Sequence, residues 1–183
     1  MWRWSKKQCF CGILQSVEGT SRRPAWPVTV IATSFGAGFM PRSPGTTGTV
    51  TAIPMAWALA RLGAWPFVGG TVLVTLIGIW ASSLFVRATG KDDDQRIVID
   101  EVAGYLVTLL LVPKTAVHLA LAFVLFRLFD IWKPGPVRWI DEHVHGGFGV
   151  MADDLAAGVI GALVLYGLDH FGVVARLAAW LHL

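Results

Sequence analysis

From Trp65 to Val86 the chain runs for 22 residues without a charge, and a helix of that length crosses about 30 Å of hydrocarbon. A soluble fold can rarely cover such a segment on every side, so the chain reads as an integral membrane protein. Composition agrees: 55% of the 183 residues are hydrophobic and 15% charged, with a mean hydropathy of +0.61. Other apolar stretches cover roughly 50–62, 102–112, 115–129 and 155–168. Pro54 interrupts the first, Pro113-Lys114 splits the 97–129 block and Asp169 closes the last. The pattern predicts an all-α bundle of four or five spans with polar ends.

Basic residues dominate the start, where Arg3, Lys6, Lys7, Arg22 and Arg23 face Glu18 alone. No long apolar core follows before Val28, so residues 1–27 are expected to form a basic, partly disordered extension, and residues 28–183 the membrane domain that carries the targeting signal. Excess positive charge keeps that end in the cytoplasm. Crossing outward over 49–62, back over 65–86, outward over 97–112 and back over 115–129 then returns three groups of acids to the cytoplasmic face: Asp92-Asp93-Asp94 with Asp100-Glu101, Asp130, and Asp153-Asp154. Ten of the twelve acidic residues lie between Asp92 and Asp154. Carboxylates so near lipid are costly and mark function, and together they predict a metal site at the membrane surface. Cys9 and Cys11 have no further Cys or His nearby to complete a zinc site and are expected to be free thiols.

Four motifs carry chemistry. In Pro41-Arg42-Ser43-Pro44-Gly45-Thr46-Thr47-Gly48-Thr49, prolines and glycines make a rigid lead into a helix. The threonines can cap that helix, or they can join its free N–H groups and Arg42 in holding phosphate oxygens. In Asp93 to Gly104, Asp93 and Asp100 are seven residues apart and would share a face if the segment is helical, with Glu101 beside them. Oxygen donors of this kind favour Mg²⁺. Asp92 and Asp94 read as an exposed acidic loop with Asp94 capping the helix, whereas Asp100 and Glu101, inside the apolar run, read as ligands.

In Phe126 to Pro136, Arg127, Asp130 and Lys133 recur every three residues along one helical face, and Pro134 ends the helix. They form either a local salt bridge or a site in which Asp130 holds the metal while Arg127 and Lys133 meet phosphate charge. In Gly146 to Asp154, a glycine-rich loop leads to two acids that read as ligands or as an N-cap, and Gly158 with Gly161 allows close helix packing. His143 and His145 read as solvated; His118, His170 and His182 carry no signal.

Taken in order, P-x-x-P-G-T-x-G, D-x-x-x-I-V-I-D-E-x-x-G, F-R-x-F-D-I-x-K-P and G-G-x-G-V-M-x-D-D-x-x-A-G resemble the phosphatidylglycerophosphatase A family over about residues 31–168. The resemblance implies a Mg²⁺-dependent enzyme of the bacterial inner membrane, with its active site facing the cytoplasm, that removes the terminal phosphate of phosphatidylglycerophosphate to leave phosphatidylglycerol. It implies membrane lipids as partners and no nucleic acid. The family-like positions are Thr46, Asp93, Asp100, Glu101, Asp130, Lys133, Asp153 and Asp154. The expected assignment is Asp93, Asp100, Glu101, Asp130, Asp153 and Asp154 on the metal, with catalysis by Asp100, Glu101, Asp130 and Asp153. Arg42, Thr46, Thr49, Arg127 and Lys133 would bind substrate. Thr49 stands where the family usually has Ser, and the 92–94 run lacks the usual D-P-G turn.

Absent motifs narrow the chemistry. There is no C-x5-R or P-S-G-H nucleophile signature, and D-x-D occurs only within the acidic run Asp92-Asp93-Asp94, which favours water activated beside a carboxylate-held metal, with direct attack by an aspartate as the other route. A CDP-alcohol phosphotransferase would carry D-G-x-x-A-R, and none is present. A cation-binding membrane scaffold or carrier would bind ligand without releasing phosphate.

Overall fold

A computed structural model of the protein describes residues 23–91 and 94–180. Among these residues there are eight α-helices and a 3-10 turn at Ala37–Phe39, with no strand. The helices are α1 (Trp26–Ala32), α2 (Pro44–Leu62), α3 (Ala64–Thr89), α4 (Ile99–Thr108), α5 (Ala116–Trp132), α6 (Gly135–His143), α7 (Gly146–His170) and α8 (Val173–Trp180). The all-α expectation is met. The basic segment 1–22, with Cys9 and Cys11, lies outside the described residues, as do Asp92, Asp93 and His182.

Backbone chemistry sets the helix ends. Pro44 begins α2 at a position where its missing N–H costs nothing. Gly63, at φ 112°, turns the chain from α2 into α3, and Gly90, at φ 69°, closes α3 by donating its N–H to the Val86 carbonyl. Thr115 caps α5, and Lys133 ends it in the left-handed region at φ 44°. Pro54 does not stop α2, which runs through it; membrane and buried helices absorb the lost hydrogen bond through their neighbours.

Two of the described helices, α3 and α7, are long and apolar enough to cross a membrane. Their 26 and 25 residues rise about 1.5 Å each. Helix α4 has ten residues and rises only about 15 Å, so the expected passage over 97–112 is a short helix followed by a turn. Phe67, Tyr105, Leu106, Leu109 and Phe126 form the core around it, all buried, and the Tyr105 hydroxyl donates to the Leu119 carbonyl at 3.0 Å.

Close approach of backbones fixes the arrangement. Helices α4 and α7 run side by side in the same direction, and a Cβ at Gly158 would lie 2.4 Å from the Gly104 carbonyl oxygen. Thr108 Oγ1 donates across the same seam to the Gly158 carbonyl at 3.3 Å. Gly147 presses on the Ser83 backbone of α3 and Gly149 on the Val144 carbonyl. The expected glycine-rich loop is therefore the first turn of α7, because these glycines serve close packing rather than a flexible turn. Residues 94–98 are non-helical, pinned where Val98 donates to the Ala32 carbonyl at 2.9 Å, so the segment leading to Asp100 is not the helix that the seven-residue spacing supposed. The starts of α2, α4 and α7 and the ends of α3 and α5 all meet at one pole. At the other, buried His118 joins α5 to α7 through Asp169 at 3.1 Å.

Candidate active site

The seam between α4 and α7 creates the site. Gly104 lies one turn beyond Asp100, and Gly158 one turn beyond Asp154. The backbone contact at the glycines therefore draws the acids on the preceding turns together. Asp100, Glu101 and Asp154 each bring a carboxylate oxygen within 4.8 Å of the others. Two of the three, Asp100 and Asp154, are buried.

Helices α2 and α5 close the sides. The first turn of α2 packs onto Glu101 so tightly that a Cβ at Gly45 would come within 2.1 Å of Oε1, and one at Gly48 within 2.9 Å of Oε2. Arg127 of α5 donates to Asp130 Oδ2 at 2.5 Å and stands 3.9 Å from Glu101 Oε1. Lys133, held in its left-handed conformation, donates to Asp153 Oδ2 at 2.9 Å and to Asp141 Oδ1 at 2.6 Å. Non-glycine residues keep such backbone angles where the surroundings enforce them, which functional sites often do. Burial pulls the Lys133 ammonium down, but its hydrogen bonds to Asp141 and Asp153 outweigh that and leave its pKa raised. It stays a cation.

A cavity of about 390 Å³ opens over this cluster. Asp100, Glu101, Asp130, Asp153 and Asp154 line it from one side, and Arg42 and Thr46 from the start of α2. Of the expected cations, Arg127 and Lys133 are committed to carboxylates, while Arg42 makes no ion pair or side-chain hydrogen bond among the described residues. The first N–H groups of α2 have no carbonyl behind them, as at any helix start. Thr49 does not line the cavity: it is fully buried, and its hydroxyl donates to the Gly45 carbonyl at 3.0 Å.

The donors decide whether a metal fits. All are carboxylate oxygens, and Glu101 Oε2 and Asp153 Oδ1 are buried without a hydrogen-bond partner. Leaving a charged acceptor in that state is expensive, and like charges so close repel. A hard divalent cation answers both costs with the ligand type it prefers.

Sequence reasoning missed three neighbours. Asp94, expected as a helix cap in an exposed loop, is buried, lines the cavity and accepts from the Arg96 backbone and side chain. Its hydrogen bond to the Arg96 guanidinium holds its carboxyl below the usual carboxylate range. Asp141 joins the site by accepting from Lys133, eight residues away across a helix break, where no periodicity signals it. His145 lines an adjoining cavity of about 320 Å³ that shares Asp100, Lys133 and Asp153 with the first.

Comparisons with known proteins bear directly on this constellation. A family model described as phosphatidylglycerophosphatase A matches residues 30–169. The chain is 41% identical over 149 residues to phosphatidylglycerophosphatase A of Escherichia coli strain K12, covering 79% of this chain and 84% of that one. It is 33% identical over 147 residues to phosphatidylglycerophosphatase A of Haemophilus influenzae, covering 79% and 90%. A Bacteroides thetaiotaomicron protein, provisionally named a phosphatidylinositol-3-phosphatase, is 39% identical over 152 residues, covering 79% and 94%. No solved structure matches the chain.

Proposed function

The chain belongs to the phosphatidylglycerophosphatase A family and is a phosphatase, and from that premise we propose that it hydrolyses phosphatidylglycerophosphate to phosphatidylglycerol and inorganic phosphate at the cavity beside α4 and α7. Asp100, Glu101 and Asp154 hold a Mg²⁺ ion, with Asp130 and Asp153 close by on the cavity wall. Asp93 would join them by its place in the family motif. The observation that carries the reading is that Glu101 and Asp153, two residues lining one cavity, each keep a buried carboxylate oxygen without a hydrogen-bond partner, Oε2 and Oδ1.

When bound, Mg²⁺ supplies Lewis-acid neutralisation of the phosphoryl oxygens. The chain's own groups do the rest. Arg42, Thr46 and the first N–H groups of α2 receive the terminal phosphate. Arg127 holds Asp130 and Lys133 holds Asp153, so that neither carboxylate turns away from the cavity. Asp153, on the cavity wall, is the carboxylate assigned to accept the proton of an attacking water. The water oxygen bonds to phosphorus, the bond from phosphorus to the glycerol oxygen breaks, and the alcohol leaves with the proton that Asp153 took from the water.

Four crossings, α2, α3, α5 and α7, complete this reading, with α4 as a buried half-length helix. Exposed Val72, Leu73 and Leu76 on α3 and Val159 and Leu163 on α7 form apolar faces that water would penalise. Exposed Trp65 and Trp180 at one pole and Trp26, Trp132 and Trp139 at the other match the aromatic belts of a bilayer. The basic N-terminal segment puts the site on the cytoplasmic side of the inner membrane.

Phosphate release from phosphatidylglycerophosphate in vesicles, with and without EDTA, tests the function. Release that stops with EDTA and returns with Mg²⁺ supports it. Binding without release would make the chain a carrier or scaffold. A phosphatidylinositol 3-phosphate arm shows whether the headgroup is selected, since both lipids carry a phosphomonoester on a polyol.

A further inference from the structure

Arg127 borders two surfaces at once. Its guanidinium is in the catalytic cavity against Asp130, while the same residue lines a groove of about 890 Å³ on the outer face of α5. The groove is otherwise apolar, formed by Phe123, Val124, Leu128, Ile131 and Trp132, and the last four are half exposed or more. Arginine is suited to such a boundary, with an apolar stem that lies along grease and a head that stays at polar depth. Here the head reaches the first turn of α2, where a Cβ at Gly45 would be 3.1 Å from Nη1. Helices α2 and α5 both border the cavity, yet their mutual packing is among the slightest of any adjoining helices.

We propose that the groove along α5 seats the acyl chains of the reacting lipid, whose phosphomonoester headgroup passes over Arg127 into the cavity. The proposal rests on the reading of the chain as a lipid phosphatase and adds where its lipid enters. A diacyl lipid cannot lift its chains out of the bilayer without exposing methylenes to water, so its way in must be lateral. The outer face of α3 is as apolar as that of α5, but no residue of α3 lines the cavity. On α5 the apolar face and the cavity share a cation, which complements a lipid that is anionic at one end and apolar at the other.

The test uses the full chain in phosphatidylcholine vesicles with a trace of a non-hydrolysable phosphonate lipid carrying a diazirine midway along one acyl chain. Irradiation and peptide mapping should place the cross-links on Phe123–Trp132. Excess unlabelled phosphomonoester lipid should remove them, and added phosphatidylcholine should not. Cross-links spread evenly over the outer faces of α3, α5 and α7, or indifferent to competition, would mean bulk lipid only and overturn the proposal. Labelling of α3 and α7 that spares α5 would mean a second copy covers the groove and would overturn it too. In turnover, Leu128→Trp should lower kcat/KM for the bilayer lipid about tenfold, the effect of a few displaced methylenes, while Leu76→Trp on α3 leaves it unchanged. Equal effects of the two substitutions would count against the groove. Failure of the underlying function would look different: the unsubstituted chain would release no phosphate from the lipid at all.

Discussion

Gly158→Ala is the smallest change that should dismantle the site without touching an acid. An alanine Cβ there would stand 2.4 Å from the Gly104 carbonyl oxygen and 3.1 Å from its carbon. Both are backbone atoms of a buried helix and cannot swing aside. Relief to ordinary contact at 3.4 Å requires α4 and α7 to part by about 1 Å. Alanine gains up to about 1 kcal/mol over glycine in helix propensity, whereas overpacking costs about 1–3 kcal/mol, so the clash wins and the melting temperature falls. The functional effect should exceed the stability effect, because Asp100 and Asp154 sit one turn from the forced gap and a misplacement of about 1 Å can cost roughly a hundredfold in rate. Gly167→Ala in the same helix is the control: a Cβ there meets nothing within 4 Å, so activity should hold and stability should rise slightly. Phosphate release and thermal unfolding, measured on both variants, check the reasoning. It is refuted if Gly158→Ala keeps activity within a few-fold of Gly167→Ala.

Asp100→Asn or Asp130→Asn should lower turnover by at least about a hundredfold, with secondary structure by circular dichroism unchanged. Arg42→Ala should raise KM for the lipid more than it lowers kcat, because Arg42 is the cavity cation with no carboxylate partner among the described residues; a normal KM in steady-state assays would remove it from the phosphate site. Asp94 has a pKa held low by Arg96, so its ionised form stabilises the fold above the ordinary carboxylate range and that contribution is lost as pH falls through the lowered value. Asp94→Asn should therefore lower the melting temperature at pH 7 and converge with the unsubstituted protein in strong acid; a gap independent of pH would contradict the Arg96 pairing.

What the sequence revealed is what composition and periodicity encode. Apolar length gave the helical class, and Pro113-Lys114 marked the break between α4 and α5. Acids inside an apolar run singled out Asp100 and Glu101, which the structure brings together with Asp154. Depth within helices was not legible. Asp153 and Asp154 read as a possible ligand pair or cap, and they lie two turns inside α7, because the helix begins at Gly146, in glycines of which Gly147 packs on α3 and Gly149 on the Val144 carbonyl. Thr49 was expected on the phosphate and is instead tied to the Gly45 carbonyl. In a helix that hydroxyl can satisfy itself one turn back, and spacing does not tell the two uses apart. Asp94 and Asp141 owe their places to non-helical turns and to a cation reaching between segments. Such contacts depend on how helices approach, which here is set by Gly104 and Gly158.

Three carboxylates sharing one cation are the centre of the proposed site, and phosphate release measured against free Mg²⁺ is their test. The unsubstituted chain should be silent in EDTA and saturate with Mg²⁺. Asp154→Asn should need at least about tenfold more Mg²⁺ for half-saturation, in the range by which loss of a metal-site group weakens binding. Full activity in EDTA, or an unchanged Mg²⁺ requirement in Asp154→Asn, would contradict it.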